Sequence, residues 1–195
     1  MHNLETILSV FVGLGLAAAA GFRVFVPLLV VSIAARLGLP LSTEFAWLAS
    51  TPALIAFSIA TVVEVVAYYV PFVDNVLDAI TSPLAVVAGT VLTAAVLTDV
   101  DPFFKWTMAI IAGGGMAGMV QAKTVMTRGL SSVATAGLAN PIISTLELGA
   151  AITAATVSVL MPLLALVFLL AIVLWMLRGR RLKIAARTAA TRSAG

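Results

Sequence analysis

Four ionisable side chains stand where an otherwise apolar sequence gives them no neighbours to pair with: Arg23, Glu64, Lys123 and Glu147. At membrane depth such a group costs from about 3 kcal/mol upward unless it is paired or faces a cavity, so each marks a candidate site. Arg23 falls at a break between two short apolar runs, between Gly21 and Pro27, where freed backbone amides and a cation suit an anionic group or a partner carboxylate. Gln121, Thr124, Arg128, Ser131 and Thr135 follow helical spacing and make one face of their segment polar. That face points into a bundle or to water. Glu64 and Glu147 have no cation at helical spacing in their own segments, so their partners must come from other helices, from protons or from a ligand. The expected pairs are Glu64 with Arg23, and Glu147 with Lys123 or Arg128. Asn140-Pro141 has the form of a helix start, with Asn capping the first turn and Pro at the first helical position. The candidate substrate-binding set is therefore Arg23, Glu64, Gln121, Lys123, Arg128, Asn140 and Glu147.

The segments that position these residues follow from apolar runs and their interruptions. Eight pieces are expected. They run over about 4–20, 24–37, 52–70, 83–98, 103–120 and 121–138, with a seventh starting at Asn140-Pro141 and a last from Pro162 to Arg178. Residues 71–82, with Asp74, Asn75 and Asp78, read as a short amphipathic connection before a helix opened by Pro83. Trp47 in the 38–51 connection is an expected interfacial anchor. The fold class is an all-α integral membrane protein with roughly six to eight transmembrane or re-entrant helices. Two related four-segment halves, about 4–98 and 103–177, are expected. Each carries a glycine-rich helix leading to a cation (Arg23, Lys123), then a lone glutamate (Glu64, Glu147) and a proline-opened helix. The repeat is parallel if every piece crosses and inverted if the paired short helices are single broken spans.

Composition sets the same limits. The 195 residues are 62% hydrophobic and 10% charged, with a mean hydropathy of +1.18, far from a soluble domain's balance. A soluble catalytic domain has no room here, because each crossing consumes about 20 residues. Residues 1–177 hold five basic and eight acidic side chains, while six of the eleven cations follow Leu177. This puts a basic tail, 178–195, in the cytoplasm of a bacterial inner membrane, in contact with anionic lipid head groups. On even numbers of crossings Arg36 and Arg128 fall on the cytoplasmic side and Asp74 and Asp78 outside. Nucleic acid is not an expected partner. The chain has no cysteine and one histidine, His2, so thiol catalysis and His or Cys metal centres are excluded; no metal and no cofactor are expected. Residues 1–20 lack a signal-peptide pattern and read as part of the mature chain.

With Ala20-Gly21-Phe22-Arg23, Phe25, Pro27 and Leu28, Glu64 to Tyr68, Pro71 to Asp74, and Lys123 to Asn140-Pro141 with Glu147 in view, the chain resembles the bacterial membrane proteins called domain of unknown function 4126, over roughly residues 5–175. That resemblance implies a fold type and a set of polar positions and no activity. The leading expectation is a small transporter or channel-like permease for an anionic or zwitterionic solute, with a central polar site between two repeats. Lipid scrambling or head-group transport, and a non-transport scaffold or assembly factor, are the alternatives. A homo-oligomer is compatible with the small-xxx-small patterns at Gly13, Gly15 and 113–118. No enzyme is expected, since no Ser-His pair or His-Glu motif can be assembled.

Overall fold

The structure is a computed structural model that describes residues 2–70, 73–135, 137–160 and 171–172. Helices α1 (His2–Phe22), α2 (Phe25–Arg36), α3 (Thr51–Ala67), α4 (Val73–Val96), α5 (Pro102–Met108), α6 (Gly115–Thr135) and α7 (Asn140–Leu160) account for most of these residues. A 3₁₀ helix over Thr43–Ala49 precedes α3, and a π-helical stretch over Ala109–Gly114 joins α5 to α6. No strand is present among the described residues. Among the described residues four helical runs are long and apolar enough to cross a membrane: Leu4–Phe22, Val76–Val96, Pro102–Thr135 and Asn140–Leu160. The basic tail 178–195, and the last expected helix apart from Ala171 and Ile172, lie outside the described residues.

The bundle encloses buried charges within an apolar core and shows a greasy face outside. On α3 Ile55, Ile59, Val62, Val63 and Val66 are exposed, whereas Ala53 and Glu64 are its buried residues. A surface of that kind suits hydrocarbon, and a lone buried carboxylate on it must be held by protein. Where α1 meets α6 and α7, the apolar core is rich in small residues. Ala17 to Ala20 on α1 pack with Ala151, Ala154 and Ala155 on α7 and with Ala117 on α6 in one cluster. A Cβ on Gly21 would stand 2.5 Å from Val120 Cβ and 2.6 Å from the Ala117 carbonyl, and a Cβ on Gly89 would stand 2.5 Å from Ala117 Cβ. Glycine is therefore what lets α1 and α4 approach α6 this closely.

α1 and α2 fold back on each other at Arg23. The Thr93 hydroxyl near the end of α4 donates to the Gly13 carbonyl at 3.1 Å, and the Ser42 amide after α2 donates to the Ala95 carbonyl at 2.8 Å. Both helices thus reach toward the C-terminal end of α4, with Arg23 at the hairpin tip. At about 1.5 Å per residue, the 12 residues of α2 span about 18 Å, short of a crossing.

Two expected boundaries are corrected. Residues 73–96 form one helix with Pro83 inside it, where a connection followed by a proline-opened helix was expected. Asp74, Asp78, Thr81, Ala85, Ala88 and Leu92 are all buried. They form a single stripe at alternating spacings of four and three, and its packing outweighs the one backbone hydrogen bond that proline removes. No break occurs at 120–121, because α6 runs unbroken through it; the change of helical pattern falls instead in the π-helical Ala109–Gly114. Gly113 and Gly114 face α4 side chains at Thr93 and Thr90 and serve close packing.

Candidate functional site

Glu64 holds the hairpin tip. Its two carboxylate oxygens accept hydrogen bonds from the backbone amides of Val24 at 2.8 Å and Phe25 at 3.1 Å. Val24 caps α2 without a side-chain bond of its own, so a carboxylate from another helix supplies what an N-cap residue ordinarily would. The expected Glu64–Arg23 pair is not made. Carboxylate and guanidinium serve opposite sides of the same backbone break.

Arg23 is buried to 1% exposure and turns to α7. Its Nη2 donates to the Ser144 carbonyl at 3.0 Å and lies 3.6 Å from Glu147 Oε2. Glu147 is shared. Arg128, on α6, places Nη2 2.7 Å from Glu147 Oε2 and donates from Nε to Oε1 at 3.3 Å. Arg128 Nη1 also donates to Asp78 Oδ1 on α4 at 2.6 Å. The Tyr68 ring lies against both guanidiniums, 3.7 Å from the Arg23 Cζ and 4.1 Å from that of Arg128. Its hydroxyl donates to Asp78 at 3.0 Å and lies 3.0 Å from the Thr81 hydroxyl, which accepts from Gln121 Nε2 at 3.2 Å. One network therefore joins α1, α4, α6, α7 and the end of α3. Among the described residues the ion pairs of the network join two guanidiniums, Arg23 and Arg128, to two carboxylates, Asp78 and Glu147; Glu64 and Asp74 are buried as well.

The structure thus brings Arg23, Gln121, Arg128 and Glu147 of the expected set together and holds Glu64 beside them. Three expectations change. Asn140 is buried, but its Oδ1 accepts no hydrogen bond, so it does not cap α7; Nδ2 donates instead to Asp74 Oδ2 at 2.7 Å and to Ser132 at 3.0 Å. Lys123 is half-buried in the unbroken middle of α6, not at a helix break. At about 100° per residue its Cα–Cβ direction lies about 140° around the helix from that of Arg128, so the two leave the helix on different faces. The assignment of Arg128 and Asp78 to opposite sides of the membrane also fails, because the two side chains touch.

Sequence reasoning missed Tyr68, Asp74 and Asp78. For the aspartates a signal was present: they extend the stripe of Thr81, Ala85, Ala88 and Leu92, so a helix continued backward from Pro83 buries both. Tyr68 carries no comparable signal.

Two cavities approach the network from opposite carboxylates. One of about 390 Å³ is lined by Phe22, Thr124, Thr127, Leu146 and Glu147 among others. The other, of about 370 Å³, is lined by Phe25, Ile59, Val63, Leu77, Thr81 and Glu64 among others. Among the described residues no group of three or more His, Cys, Asp or Glu side chains is placed to hold a metal ion.

Apolar crossings wrapped around a buried ionic network define a multi-pass helical membrane protein. The chain matches the family described as domain of unknown function 4126 over residues 10–181, and it belongs to that family. No curated protein and no solved structure is a significant match to it.

Proposed function

We propose that the chain is a small permease that passes a zwitterionic solute through the Arg23–Glu147–Arg128–Asp78 network. The observation that carries this reading is the network's double character at the tip of a helical hairpin. Arg23 Nε and Nη1 are buried with no hydrogen-bond partner among the described residues, while the carboxylates of Glu147 and Asp78 line the same network. A solute carboxylate answers the first and an ammonium the second. A simple anion suits the site less well, since both cations already face carboxylates. Helices that meet at a break with a charge at the tip, as α1 and the short α2 do at Arg23, are a recurrent way of building a site at membrane depth. The reaction is movement without chemical change. The setting we assign is the bacterial inner membrane with the C-terminus in the cytoplasm, on the ground of the cation run from Arg178 to Lys183.

The test is uptake of radiolabelled glycine, proline and glycine betaine into proteoliposomes holding the full chain. We expect uptake of at least one above protein-free liposomes, reduced at least tenfold by Glu147→Gln and by Arg23→Ala in protein that still inserts. Absence of uptake for all three probes, or full uptake in both variants, overturns the proposal.

A further inference from the structure

The cavity between α2, α3 and α4 has a different character from the central network. Its walls are Phe25, Ala56, Ile59, Ala60, Val63 and Leu77, and Glu64 and Thr81 are its polar groups. Ile59 and Val63 are 60% and 61% exposed on the apolar outer face of α3, so the groove opens where lipid chains would lie.

Glu64 is 3% exposed. Among the described residues, no lysine or arginine nitrogen is placed within 4 Å of its carboxylate; its hydrogen bonds come from the Val24 and Phe25 amides. An ionised carboxylate offers about four lone-pair sites, so about two remain after those bonds. Arg23 and Arg128 are absent from the groove lining. Charge complementarity then selects one class of occupant. A positive head group compensates Glu64, whereas a phosphate or sulfate would meet the carboxylate with no cation among the described residues of the groove wall to balance it.

We propose that this groove binds an amphiphile with one cationic head and an alkyl tail, such as an alkylammonium, the head at Glu64 and Thr81 and the tail along Ile59, Val63 and Leu77. The inference concerns binding and stands whether or not the chain transports a zwitterion.

The test is equilibrium binding of radiolabelled dodecyltrimethylammonium to the full chain in maltoside micelles. Unlabelled competitors are dodecyl sulfate, a lysophosphatidylcholine of equal chain length, and tetramethylammonium. We expect saturable binding, with each competitor at least tenfold weaker than unlabelled dodecyltrimethylammonium. Glu64→Gln should weaken binding at least tenfold. Ala60→Trp, which fills the groove and leaves the carboxylate in place, should do the same, so the test survives if the Glu64 variant fails to fold. Equal competition by dodecyl sulfate or the zwitterionic lipid, or unchanged binding in Ala60→Trp, overturns the proposal.

Discussion

Replacing Arg128 by Met removes the charge that two carboxylates share. Asp78 loses a contact of 2.6 Å and Glu147 one of 2.7 Å, both inside the bundle. Breaking one buried ion pair by deleting a partner costs about 3–5 kcal/mol, mostly because the remaining charge stays buried and uncompensated. The two losses do not simply double. Arg23 remains 3.6 Å from Glu147, and the Tyr68 hydroxyl remains 3.0 Å from Asp78. We expect Arg128→Met to destabilise the chain by about 4 kcal/mol, nearly three decades in the folding equilibrium. If the stranded Asp78 charge is the main cause, Asp78→Asn in the same chain recovers about 2 kcal/mol, and the double variant is more stable than Arg128→Met. Unfolding by sodium dodecyl sulfate in mixed maltoside micelles, followed by circular dichroism, measures all three variants against wild type. A cost below about 1 kcal/mol for Arg128→Met, or additivity of the two substitutions within about 0.5 kcal/mol, refutes the reading of a coupled network.

Gly21→Ala should lower stability by about 1–3 kcal/mol in the same assay, because its Cβ collides with Val120 Cβ and the Ala117 carbonyl; Gly115→Ala, with nothing within 4 Å, should be neutral or stabilising by up to about 1 kcal/mol. Tyr68→Phe gives up the hydroxyl bonds to Asp78 and Thr81 but keeps the ring against both guanidiniums, for about 1–2 kcal/mol; Tyr68→Leu loses the ring as well and should cost about 2 kcal/mol more in that assay, and equal costs for the two would refute the cation–π assignment.

The polar core was legible at Arg23, Glu64, Gln121, Arg128 and Glu147 for one reason. Charge or amide in a hydrocarbon-length apolar run is costly, and the structure relieves that cost by enclosing it in protein. Who pairs with whom was not legible. Every ionic contact in the network crosses between helices, so spacing along the chain carries no information about it, and the expected Arg23–Glu64 pair gave way to Arg23–Glu147. The match between Arg23 and Lys123 rested on equal distances from glycine, yet the first cation stands at a backbone break and the second in continuous helix. Pro71 and Pro83 made 71–82 look like a connection, which hid Asp74 and Asp78. A proline on the lipid-facing side of a packed helix leaves the inward stripe intact, and Pro83 is exposed.

A buried ion network is weak evidence for stability, since apolar residues of similar volume often replace one at no loss. The network here is also incompletely satisfied. Arg23 Nε and Nη1 and Asn140 Oδ1 are buried with no hydrogen-bond partner among the described residues, and each orphaned group costs about 1–3 kcal/mol. A cluster whose role was only to hold α1, α4, α6 and α7 together would be better built from the alanines and glycines that already do so one turn away. On the proposed reading, the unfilled Arg23 donors are kept for a solute that supplies their partners.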